Sequence, residues 1–154
     1  MSDWTIRRDD LTHPDVLALL DLHLRAAHQN SPPGSVYALD VSGLRDPSVT
    51  LWTLWKGAAL LGVGALKALG AGEGEVKSMR TAPGHVRRGV ATALLEHVLA
   101  EARARGYGRL NLETGADAPF EAAHVLYRRA GFVECAPFGT YHDTVFARYF
   151  TKAL

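Results

Sequence analysis

Glu75-Val-Lys-Ser-Met-Arg-Thr-Ala-Pro-Gly-His-Val-Arg-Arg-Gly-Val-Ala-Thr92 decides how the rest of the chain is read. It opens as a strand, breaks at Pro83 and Gly84, passes Arg87, Arg88 and Gly89, and enters an apolar helix pattern at Val90. A strand feeding a basic glycine turn at a helix N-terminus is a site for an anionic phosphate group. The first N–H groups of a helix have no intrahelical partner, and the dipole makes that end positive. Gly89 lets an anion approach the backbone, and two arginines add full charges. An ordinary loop with two solvated arginines accounts for the same residues, and a short glycine motif alone does not decide between the two.

Working outward, 154 residues suggest one domain, 1–154, large enough for a real core. An apolar fraction of 47% and a charged fraction of 21% describe an ordinary soluble globular chain. A formal charge of +1 gives no support to nucleic-acid binding. Cys135 is the only cysteine, which excludes an intramolecular disulfide and a Cys-rich metal site. The seven histidines show no paired metal spacing, so no metal is expected. Residues 1–10 lack the apolar core of a signal peptide, and no apolar run approaches the ~20 residues of a membrane span. The expectation is a cytoplasmic protein with no membrane partner.

Trp4 to Arg8 reads as a first strand. Thr12 or Asp15 can cap the next helix, with Pro14 in its first turn and Val16, Leu17, Leu20, Leu24 and Ala27 on one stripe. The prolines and glycine of Asn30–Ser35 end it, and residues 36–45 can hold a short helix. Val49 to Trp55, Leu60 to Lys67 and Glu75 to Thr81 read as three successive antiparallel strands. The helix from Val90 to Arg105 turns Val90, Leu94, Leu95, Val98, Leu99 and Ala102 inward and stops at Gly106. A strand follows at Arg109–Thr114, then a helix at Ala118–Ala130, then closing strands at Phe132–Cys135 and Thr144–Phe150. The layout is mixed α/β, with parallel neighbours joined by the 75–114 crossover.

Two separated motifs resemble the GCN5-related N-acetyltransferase (GNAT) superfamily. Thr81-x-Pro83 with Arg87-Arg-Gly-Val-Ala91 and its amphipathic helix looks like the acetyl-CoA pyrophosphate motif. Ala123-His-Val-Leu-Tyr-Arg-Arg-Ala-Gly-Phe132 looks like the second signature, a helix ending in Leu-Tyr-x-x-x-Gly-Phe. Glu75 to Thr81, Leu112-Glu-Thr-Gly115, Pro137-Phe-x-x-Tyr141 and Ser31-Pro-Pro-x-Ser-x-x-Ala-Leu-Asp40 are similar to the YsnE-like subgroup. The resemblance covers nearly the whole chain. It implies the GNAT fold, a central mixed and mostly antiparallel sheet flanked by helices.

Carried over by residue, the resemblance implies that Arg87, Arg88, Gly89, Val90, Ala91 and Thr92 hold the pyrophosphate of coenzyme A. Met79 and Thr81 would pair with the cofactor through main-chain groups, the Met79 N–H polarising the thioester carbonyl. Phe120 stands where the superfamily commonly has asparagine; it either packs on the pantetheine arm or is a helix-start core residue. Val86 stands where Arg or Gln is usual, so a side-chain contact is lost there. Tyr127 matches the tyrosine that can protonate the departing thiolate. Glu75, four residues before Met79 and on its face by period-2 alternation, is the candidate base for the amine, with Glu113 a second. An ion pair between Glu75 and Lys77 is the plain alternative. The prolines and Tyr37 of the 28–40 loop, with Trp52 and Trp55, either line an acceptor pocket or, for the tryptophans, form sheet core.

The implied activity is acetyl transfer from acetyl-CoA, as cosubstrate, to a primary amine of a small molecule or peptide. Direct attack is expected because Cys135 has no evident activating base. A sensor of acyl-CoA without catalysis is the alternative; Tyr127 and Glu75 together favour the enzyme. A P-loop reading lacks the Gly-Lys-Ser/Thr ending. A homodimer is compatible with folds of this kind.

Overall fold

A computed structural model describes residues 3–34 and 36–154. Met1, Ser2 and Ser35, the last within the Ser31–Asp40 stretch quoted above, lie outside the described residues. The elements are β1 (Trp4–Arg8), α1 (Pro14–Gln29), α2 (Val41–Leu44), β2 (Val49–Lys56), β3 (Ala59–Gly70), β4 (Glu73–Thr81), α3 (Val90–Ala104), β5 (Arg109–Gly115), α4 (Glu121–Arg129), β6 (Val133–Cys135) and β7 (Ala147–Ala153). They form a seven-stranded sheet in the order β1-β2-β3-β4-β5-β7-β6. All neighbours are antiparallel except β4 and β5, as the crossover spacing predicts.

The sheet separates two apolar layers. Leu54, Leu66, Val76, Leu110, Leu112 and Phe150 meet all six inward residues of α3 on one face. Leu51, Trp55, Val63 and Ala65 meet Val16, Leu19 and Leu20 of α1 on the other. Trp52 and Trp55 are thus sheet core on opposite faces, which answers the question left open for them. α3 ends where Gly106 takes φ +80, a left-handed conformation that a side chain would strain.

Several boundaries differ from expectation. The cap of α1 is His13, whose Nδ1 accepts from the Asp15 N–H at 3.1 Å. Pro14 forces the preceding residue into extended backbone, which is the N-cap conformation, while the Thr12 hydroxyl is spent on Asp10 at 2.6 Å. Leu19 joins the buried stripe of α1, whereas Leu17, Leu24 and Ala27 are half-buried. The helix expected over 118–130 begins as a 3-10 turn, Ala118–Phe120. The closing strand lies three residues later than expected. Its register against β5, from Arg109↔Ala153 to Gly115↔Ala147, places Thr144, Val145 and Phe146 in the preceding loop, with Val145 82% exposed. Long-range pairing overrides the local β-propensity there.

Candidate active site

β4 and β5 pair over only three positions, Glu73↔Arg109, Gly74↔Leu110 and Glu75↔Asn111. Beyond them both strands continue unpaired with each other, to Thr81 and Gly115, and leave a wedge in the sheet. Asn111, buried at the joint, donates to the Glu73 carboxylate at 2.9 Å and the Gly74 carbonyl at 3.3 Å, and accepts from Thr151 at 2.7 Å.

β4 carries a second irregularity. Its pairing with β3 slips between Ala65↔Lys77 and Val63↔Arg80, and Ser78 has φ +53. This bulge resets the side-chain alternation. Val76 and Met79 both pack on the α3 side, while Lys77 and Arg80 stand opposite Ala65 and Val63 of the α1-side core. Glu75 and Met79 therefore lie on opposite faces, not on the shared face that strict alternation predicts. Met79 lies against Gly64, where an added Cβ would sit 3.1 Å from its methyl.

From the open half of β4 the chain runs through Ala82–Arg88 into α3. Arg87 has φ +62 and Gly89, the N-cap, φ +86; among the described residues no side chain caps this end. The first helical bond is Ala93 N–H to the Gly89 carbonyl, 3.0 Å, so the N–H groups of Val90, Ala91 and Thr92 have no partner within the helix. Left-handed residues alternating with ordinary ones turn successive N–H groups into an anion-binding concavity. Arg87 and Arg88 are exposed beside it, and Val86 is 58% exposed. This end fits a pyrophosphate by its unmet donors rather than by any one side chain.

On the α1 side the wedge is walled by polar groups from separate elements. Glu75, 2% exposed, accepts from the Tyr141 hydroxyl at 2.5 Å. Lys77 pairs with Glu75 at 3.4 Å and donates to the Tyr141 hydroxyl at 2.9 Å and the Tyr37 carbonyl at 3.0 Å. The ion pair named as the plain alternative for Glu75 is thus present. Tyr37 meets Tyr141 edge to face at 4.9 Å, and Tyr141 meets Phe138 and Tyr149 at 5.1 and 5.5 Å. Burial, the Glu75 charge and the hydrogen bond to it drive the Tyr141 hydroxyl far above its ordinary range.

Glu113 stands opposite Tyr149 on β7. Burial pushes its carboxyl up to about 7, with the Glu75 charge adding to that and Lys77 opposing it. Tyr127, on the buried face of α4, packs against Phe132 and Phe150. Burial first and the Glu113 charge second raise its hydroxyl above the ordinary value, so it stays protonated at neutral pH. Phe120 packs so closely on Gly115 that a Cβ there would lie 2.2 Å from the ring. His124 hydrogen-bonds the Gly115 carbonyl at 2.7 Å, a pairing that the sequence reading missed. Burial raises the Cys135 thiol; Arg109 opposes this and Glu134 adds to it.

The structure therefore gathers Tyr37, Glu75, Lys77 and Glu113 on one side, with Arg87 to Thr92 at the helix end that β4 leads into. Tyr141 and Tyr149 were not read as site residues; the Pro137-Phe-x-x-Tyr141 pattern was the available signal for the first. Among the described residues no cluster of His, Cys, Asp or Glu could hold a metal ion, and no helix is long and apolar enough to cross a membrane.

Residues 14–132 match the model of the acetyltransferase (GNAT) family. The chain is 50% identical over 151 residues to the uncharacterized N-acetyltransferase YedL of Escherichia coli strain K12, covering 98% of this chain and 95% of that one. It is 46% identical over 149 residues to the uncharacterized N-acetyltransferase YsnE of Bacillus subtilis strain 168, covering 97% and 99%. A GNAT family acetyltransferase from Elizabethkingia anophelis, solved with acetyl-CoA bound, shares the fold at a TM-score of 0.73 and 18% identity, over 100% of both chains.

Proposed function

The chain belongs to the acetyltransferase (GNAT) family, and on that premise we propose that it moves an acetyl group from acetyl-CoA to a primary amine of a small molecule or peptide. The observation that carries this reading is the wedge between β4 and β5, with an uncapped helix end following one strand and two carboxylates on its α1 side. The acetyl-CoA in a structure of the same fold supports that choice of donor.

Acetyl-CoA, when bound, supplies the acetyl group as a thioester. Val90, Ala91 and Thr92 offer N–H groups to the pyrophosphate, with Arg87 and Arg88 adding charge and Gly89 admitting close approach. Met79 and Thr81 present main-chain groups on the open part of β4, and Phe120 closes the far side of the wedge against Gly115. The Met79 N–H is the donor toward the thioester carbonyl. Of the two carboxylates, Glu75 is held by Tyr141 and Lys77, whereas Glu113 makes no ion pair among the described residues. Glu113 takes the proton from the acceptor nitrogen as the C–N bond forms; Glu75 fixes Lys77 and Tyr141 around the acceptor. Tyr127 delivers a proton to the sulfur as the C–S bond breaks. A carboxyl titrating near 7 is matched to accepting a proton at neutral pH. The raised Cys135 thiol supports direct attack in a ternary complex over an acyl-cysteine route.

Thiol release from acetyl-CoA across a panel of amines is the test. Amine-dependent release supports the transferase; cofactor binding without turnover on any amine leaves the sensor reading in its place.

A further inference from the structure

α1 packs on β4, and on that side of the sheet three nitrogen-bearing side chains, Lys77, Arg80 and His23, are close enough to act on one another electrostatically. Arg80 stands opposite Val63, and Lys77 opposite Ala65, both in the α1-side core. His23 lies on α1 one turn beyond the buried Leu19 and Leu20. Burial, then the charges of Arg80 and Lys77, hold its imidazole down at about 4, so it is neutral. Among the described residues its Nδ1 is buried without a hydrogen-bond partner. Lys77 is neutralised by Glu75. Arg80 is half-buried and has no carboxylate partner among the described residues.

A buried ring nitrogen without a partner is costly unless something completes it, and the half-buried guanidinium on the same side has a charge left to offer an anion. One negative charge with two oxygens does so: the guanidinium fork takes a carboxylate in two parallel bonds, and a neutral imidazole donates one N–H. A dianionic phosphate would exceed the single free charge. We propose that the acceptor is a carboxylate-bearing amine of the amino-acid type, its carboxylate held by Arg80 and His23 with the amine directed toward Glu113. This rests on the transferase reading for the identity of the ligand as acceptor.

The test compares common α-amino acids with their methyl esters in the thiol-release assay. The free acid should be preferred in kcat/KM by roughly tenfold or more, the effect of one charged hydrogen-bonding contact. In Arg80→Met that ratio should collapse toward one, and Arg80→Lys should keep an intermediate value. A ratio unchanged in Arg80→Met, or an ester preferred by the parent, overturns the proposal. A second arm needs no turnover: N-acetylated amino acids are titrated by calorimetry into the parent and Arg80→Met. Arg80-dependent binding without acetylation of any amine would sustain the carboxylate site and sink the transferase. Acetylation of amines with no acid preference and no Arg80-dependent binding would do the reverse. Absence of both binding and turnover also overturns the carboxylate site.

Discussion

The two sides of the wedge are built on different principles. The α3 end offers main-chain N–H groups, fixed by two left-handed residues and a helix start within one continuous stretch. The opposite side is made of side chains from the α1–α2 loop, β4, β5, the β6–β7 loop and β7. A backbone site tolerates side-chain change but not a change of backbone conformation. A side-chain site tolerates the loop around it but not the loss of one functional atom.

Removing such an atom should therefore give the largest effect. Glu113→Gln should lower kcat/KM by about 10²–10⁴-fold, the usual share of a positioned base. The parent's kcat/KM should rise with pH through about 7, where Glu113 ionises, and the variant should lose that rise. A parallel pH profile in the variant would break the assignment. Stability should move the other way. The folded chain keeps this proton up to about 7 while the unfolded chain releases it near the ordinary 4.5. This group's contribution is thus fully present below that lower value and lost as pH rises to 7. Above 7, Glu113→Gln should melt higher than the parent, and an equal or lower Tm would contradict the burial argument.

The matching insult to the backbone side is Gly89→Val, which forces a β-branched residue to φ +86. Left-handed strain of about 1–3 kcal/mol should raise the KM for acetyl-CoA roughly tenfold to a hundredfold while kcat changes less. An unaltered KM would remove the cradle. Tyr141→Phe tests the opposite side more gently. It deletes a hydrogen bond to a buried carboxylate, worth about 1.5–3 kcal/mol, and should lower Tm and raise the acceptor KM, leaving that for acetyl-CoA in place. The smallest change is Val86→Arg, which restores the usual charge at an exposed position. It should lower the KM for acetyl-CoA by no more than about fivefold, as a surface charge of up to ~1 kcal/mol allows. A larger gain would mean that side chains matter more at the cradle than its geometry implies.

The same contrast explains what could be read from the sequence. Local signals sufficed for α3, whose six inward residues follow from the 3.6-residue period, and for the glycine turn before it. The alternation that joined Glu75 to Met79 failed because a bulge intervenes, seen as a slip in the pairing with β3 and a positive φ at Ser78, a residue type that gives no sign of it. Tyr149 falls inside the closing strand that the sequence predicts, but its place opposite Glu113 is fixed by long-range pairing with β5, which no local pattern shows. His23 and Arg80, 57 positions apart in number, come within electrostatic reach only once α1 packs on β4.

A sheet divided along part of one seam has a further consequence, visible in time rather than in space. Beyond Glu75, β4 is bonded to β3 on one edge only. Amides of β4 that face β3 should exchange with solvent deuterium only when the whole domain opens, while their alternate neighbours facing the wedge exchange as freely as loop amides. Protection should thus alternate along a single strand beyond the position facing Asn111, and the alternation should break once, at the Ser78 bulge.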